Sequence, residues 1–159
     1  MAATDGSSGK RSNDMPGIVV GIDGSSGSQE ALQWAVRHSA IEHLPLTVLA
    51  VHEVAASTWT HSSLVSPQDR PDEEKIRQDV QDEVSKIMGE TGDARPESVT
   101  VRVFSGQPAN ALIEASHDND LVVVGSRGGG GFPHLRLGSV TSKVVSHAES
   151  PVVVVRHSR

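Results

Sequence analysis

Leu121-Val122-Val123-Val124-Gly125-Ser126-Arg127-Gly128-Gly129-Gly130-Gly131, with Gly138-Ser139 a short way on, is the stretch from which the rest of the chain can be read. The four apolar residues at its start form a run that suits a fully buried strand. From Ser139 to Ala148 the apolar residues recur at helical spacing. A strand, a glycine-rich loop and a helix N-terminus in that order make a phosphate cradle. Glycine lets the backbone approach an anion closely, and the unpaired N–H groups of a first helical turn point at it. Arg127, Arg136 and Lys143 lie between Leu121 and Ala148, where no acidic residue occurs. In a chain of formal net charge -6 this region stays cationic, which points to a nucleotide as the ligand.

Outward from that stretch, strands and helices alternate. Gly17 to Ile22 reads as a first buried strand ending at Asp23. Ser26 and Gln29 have the spacing of a capping box for a helix running to about His43, with Leu32, Ala35, Val36 and Ala40 inward. Leu46 to His52 is a second strand, and Ala55 to Pro71, with its turn residues and prolines, a long loop. Ile76, Val80, Val84 and Ile87 mark an amphipathic helix that Gly89 and Gly92 are expected to end. Val99 to Phe104 alternates enough to sit near a sheet edge. Gln107-Pro108-Ala109 opens a short helix carrying Leu112 and Ile113, Leu121 to Val124 is the fourth strand, and Val152 to Val155 is the fifth. This alternation predicts an α/β fold with a doubly wound parallel sheet and helices on both faces. Ligands of such sheets bind at the carboxyl ends of the strands, where the strand order reverses. If the first and fourth strands flank that point, Asp23 and the glycine loop face one crevice.

At 159 residues the chain fits one domain, expected over residues 16–159 behind a disordered tail at 1–15. Ser8-Gly9-Lys10-Arg11 in that tail is no P-loop: the earlier glycine, the hydroxyl after the lysine and a preceding strand are all missing. Cysteine is absent, which excludes disulfides and thiolate metal sites. No run approaches the ~20 apolar residues of a membrane helix, so a cytoplasmic protein is expected. The acidic balance, with two Phe, two Trp and no Tyr, argues against nucleic-acid binding. The eight histidines form no H-x3-H or H-E-x2-H arrangement, and no metal site is expected. Trp34 and Trp59 read as packing residues, although Trp59 could close over a base if its loop acts as a lid.

The pattern Gly125-x2-Gly128-x9-Gly138-Ser139 resembles the ATP-binding signature of the universal stress protein family. The resemblance extends from about Gly17 to Arg156. It takes in the opening Ile-Val-Val-Gly-Ile-Asp-Gly-Ser, the Val-His pair closing the second strand, and Pro151 with its valine strand. It implies a Rossmann-like five-stranded sheet of order 3-2-1-4-5 and, in the ATP-binding branch, an adenine nucleotide across the first and fourth strands. The candidate binding set is Gly21, Asp23, His52, Glu53, Gly125, Ser126, Arg127, Gly128, Gly129, Gly130, Gly131, Gly138, Ser139 and Val140. By the resemblance, Gly125 and Gly128 lie against ribose and phosphate, and the amides of Gly128 to Gly131 are donors. Gly138, Ser139 and Val140 present N–H groups to the phosphates, and Ser139 its hydroxyl. Asp23 lies near the ribose or a divalent ion, and Glu53 or His52 meets adenine through the backbone. For Asp23 a strand-terminal Asx-turn or helix cap is the competing role.

The expected cofactor is ATP with Mg2+, with ADP and cyclic AMP as other candidate nucleotides. Fast phosphoryl transfer needs a positioned nucleophile, acids dedicated to the metal and cations on the developing charge. The chain offers one suitable acid, Asp23, with no Walker lysine, no Asp-Phe-Gly and no Ser-Gly-Gly-x-Asp-Ser. A nucleotide-dependent sensor or regulator in stress response or dormancy, hydrolysing little, is therefore expected over an enzyme. The alternatives are a slow ATPase and a dimeric interaction module that uses no nucleotide. Val152 to Val155 is short and wholly apolar, and an unpaired valine edge is a liability in solution. The expected partner is a second copy of the chain, paired through that strand.

Overall fold

β1 (Ile18–Ile22), β2 (Leu46–His52), β3 (Val99–Ser105), β4 (Leu121–Gly125) and β5 (Val152–Val155) alternate with α1 (Ser26–Glu42), α2 (Glu73–Glu90), α3 (Pro108–Ser116) and α4 (Ser139–His147). The structure is a computed structural model and describes residues 17–52, 72–128 and 137–156, with the backbone alone at His52. The expected tail at 1–15 and the loop Ala55–Pro71, with Trp59, lie outside the described residues.

All five strands are parallel, in the order β3-β2-β1-β4-β5. Val20 pairs with Val48 on one side and Val123 on the other, so β1 and β4 meet where the order reverses. Side chains leave a strand on alternate faces, and this sheet is covered on both. Ile18, Val20, Val48 and Val123 pack against α1 and α2. Val19, Leu49, Val122 and Val124 pack against Leu112 of α3 and Val144 of α4. Two-sided burial is why the strands read as valine runs rather than as an apolar–polar alternation. β3 is the exception: Val101 is buried while Thr100, Arg102 and Phe104 are exposed, as an edge position predicts.

Two element ends differ from the expectation. The cap of α1 is Ser25 rather than Ser26, its hydroxyl accepting from Ser28 N, and no capping box forms with Gln29. Asp23 decides between the two serines, because its Oδ1 accepts from both the N–H and the hydroxyl of Ser25. Gly89 does not end α2, which runs through it to Glu90; Gly92, at φ 73°, stands beyond the end. One interior glycine costs a helix only about 1 kcal/mol. Burial of Val80, Val84 and Ile87 against the sheet outweighs that.

The two sheet edges are treated differently. Ser98 O accepts from Leu46 N, so by alternation the carbonyls of Val99, Val101 and Val103 point away from β2. The Arg77 guanidinium of α2 donates to Val101 O at 3.1 Å and so covers part of that edge. On β5 the carbonyls of Pro151 and Val155 accept from β4 and its continuation. By the same alternation the N–H and C=O of Val152 and Val154 point outward.

Candidate functional site

The crevice at the carboxyl ends of β1 and β4 is built by close approaches of backbone. Asp23 leaves β1 in an Asx-turn, with Oδ1 held by Ser25 N at 2.9 Å. Its Oδ2 lies where Gly128 has no side chain: a Cβ there would stand 2.6 Å from it. The competing role foreseen for Asp23 is therefore occupied by one carboxylate oxygen, while the other faces the glycine loop. Residues about a hundred positions apart in sequence meet here because β1 and β4 are neighbours.

Gly125 ends β4 against the first turn of α1. A Cβ on it would come within 2.6 Å of Gly27 O, and a Cβ on Gly27 within 2.6 Å of Arg127 O. The chain thus crosses α1 at a distance only glycine permits. Ser126, buried, uses its whole peptide frame: its N–H donates to Val155 O at 2.7 Å, and its carbonyl accepts from Gly138 N at 2.8 Å. The second bond brings the two ends of the glycine-rich segment together. Arg127 and Gly128 are exposed beyond it.

Gly138 is the N-cap of α4, in extended conformation and with no side chain to accept from the first turn. No acid stands in that turn. Among the described residues the first helical N–H groups, including those of Ser139 and Val140, have no capping side chain, and the positive end of the helix dipole lies at the crevice. Ser139 is exposed and Val140 half-buried. Thr141 is buried, and its hydroxyl donates to Gly125 O at 2.6 Å, locking the first turn onto the end of β4. Lys143, part of the cationic stretch, is held away by Asn110 of α3, Nζ to Oδ1 at 2.9 Å.

Of the other candidates, Gly21 is half-buried under α3: a Cβ on it would meet Leu112 Cδ1 at 2.7 Å, so the glycine serves helix packing. His52 ends β2 at the carboxyl end of the sheet, the end at which Asp23 follows β1. Glu53, Gly129, Gly130 and Gly131 lie outside the described residues. Among the described residues no three His, Cys, Asp or Glu side chains are grouped to hold a metal, and no helix is long and apolar enough to cross a membrane. Gly27 and Thr141 were not in the expected set. A glycine in a first helical turn and a threonine on the inner face of a helix were the signals available, but only the fold shows what they touch.

Comparison with known proteins gives this geometry its context. The model of the Universal stress protein family matches residues 15–156. A universal stress protein of Mycobacterium tuberculosis is 32% identical over 143 residues, which is 90% of this chain and 48% of that protein. The chain thus spans about half the length of the curated relatives it matches. Among solved structures, the universal stress protein UspA from Lactobacillus plantarum superposes with a TM-score of 0.69 at 24% identity, covering 89% of this chain and 97% of that one. A universal stress protein in complex with cAMP gives 0.64 at 24%, covering 90% and 98%. One from Arabidopsis thaliana with AMP bound gives 0.56 at 20%, covering 90% and 93%. At these identities the structural likeness speaks for the fold, and the family model for membership. The chain belongs to the universal stress protein family.

Proposed function

We propose that this chain binds an adenine nucleotide, ATP with Mg2+, in the crevice between β1 and β4, and acts as a nucleotide-dependent regulator in stress response or dormancy with little hydrolysis. One observation carries the reading. Among the described residues the α4 N-terminus has no capping side chain and no acid in its first turn, and the Ser126–Gly138 bond ties the end of β4 to it. Phosphate oxygens are the ligand such an arrangement of N–H groups fits. The relatives solved with cAMP and with AMP share an adenosine with this proposed ligand. In this reading Gly125, Ser126, Gly128, Gly138, Ser139 and Val140 line the ribose and phosphates. Asp23 Oδ2 accepts from a ribose hydroxyl or faces the cation. A single carboxylate holds Mg2+ weakly, so the ion's remaining ligands are phosphate oxygens and water. The sequence holds no Walker lysine and no Asp-Phe-Gly, and in this reading occupancy rather than turnover is the site's output.

The protein works as a homodimer through β5. The outward groups of Val152 and Val154 allow an antiparallel pairing about a dyad at Val153, in which the two residues exchange about four N–H···O bonds with their copies.

Calorimetry with ATP and magnesium tests the reading, together with analysis of any small molecule released on denaturation. Binding is expected, and Gly128→Ala weakens it at least about tenfold, the Cβ being forced against Asp23 and the phosphates alike. Titration with cAMP in place of ATP identifies which nucleotide the site prefers. Absence of heat in protein free of small molecules removes the reading, and rapid ADP release abolished in Asp23→Ala replaces the regulator by an ATPase.

A further inference from the structure

We infer that nucleotide occupancy and self-association through β5 are linked by the Ser126 peptide and α4, so that ligand tightens the dimer and dimerisation tightens ligand binding. The inference rests on the function proposed above and adds the regulation of that site. One residue joins the two: Ser126 N–H donates to Val155 O at the end of β5, and Ser126 O accepts from Gly138 N at the start of α4. A phosphate drawing on the first N–H groups of α4 therefore acts two hydrogen bonds from the strand that pairs with the partner. A second connection runs through packing. α4 turns Val144 into the core that Val140, Val152 and Val154 pack against, so the helix presenting its N-terminus to the ligand also supports β5. The Thr141–Gly125 bond makes the first turn of α4 move with the end of β4.

The sign follows from order. β5 is only four residues long and half-buried throughout, so a partner must fix it at an entropic cost. A ligand that pins α4 and the Ser126 peptide removes part of that cost beforehand. By linkage over two equivalent sites, the factor by which saturating nucleotide tightens the dimer is the square of the per-site factor by which dimerisation tightens nucleotide. Thr141 is a positioning residue in this scheme, since its side chain ties helix to strand.

The test measures the dimer dissociation constant of the full chain by sedimentation equilibrium, with and without saturating ATP and magnesium, alongside calorimetry. The constant is expected to fall about tenfold with nucleotide, within the usual 5–150-fold range of coupling. Thr141→Val should lose most of that ratio, whatever it does to either constant taken alone. If Thr141→Val fails to fold by circular dichroism, Val153→Asp takes its place: made monomeric at the dyad, it should bind ATP weaker by the square root of that ratio, about threefold. A dimer constant indifferent to nucleotide, while calorimetry records binding, overturns the linkage and leaves the binding site standing. No binding, or a monomer at every concentration with and without ATP, overturns the linkage together with the reading beneath it.

Discussion

Gly27 and Gly89 both stand inside helices, and a methyl group added to each has opposite consequences. Helix propensity alone favours alanine over glycine by about 1 kcal/mol at either place. Among the described residues nothing lies within 4 Å of a Cβ on Gly89, so Gly89→Ala is expected to stabilise the protein by about 0.5–1 kcal/mol in urea unfolding. A Cβ on Gly27 would sit 2.6 Å from a backbone carbonyl, that of Arg127, which cannot swing aside as a side chain can. Gly27→Ala is expected to destabilise by about 1–3 kcal/mol, the usual penalty for overpacking. An equal gain for both variants would show that the crossing of β4's end over α1 is looser than described. The contrast marks a limit of reading sequence. Either glycine looks like a helix defect on paper, and the difference between them is a tertiary contact with residue 127.

Strands and helices were largely legible because their causes are local or periodic. Valine runs at β1, β4 and β5 announce strands buried on both faces, and Ile76, Val80, Val84 and Ile87 announce the inner face of α2. The start of α1 was misplaced by one residue because Ser25 and Ser26 are equally able caps, and only Asp23, folding back from β1, distinguishes them. The meeting of Asp23 with the glycine loop was foreseeable from topology once β1 and β4 were adjacent. The Thr141 hydroxyl on Gly125 O was not, since nothing in a helical pattern says which strand end lies beneath it. Ile87 is 1% exposed and is the deepest large side chain that α2 contributes. Ile87→Ala is expected to cost about 2–5 kcal/mol, read from the denaturation midpoint. A loss under about 1 kcal/mol would mean that α2 adds little to the cooperative unit.

At the scale of the whole molecule, the sheet offers two edges and treats them unequally. Arg77 reaches from α2 to Val101 O on β3, whereas no side-chain bond to the outward groups of Val152 and Val154 is present among the described residues. A sheet with two bare edges can add copies at both and has no reason to stop, so the guarded edge acts as a terminator. Under the proposed pairing through β5, growth would then halt at a closed pair instead of running on into a ribbon. Arg77→Ala is expected to show itself in light scattering as particles heavier than a pair that increase with concentration. A mass fixed at two chains in that variant would mean that one guanidinium is not what limits the assembly.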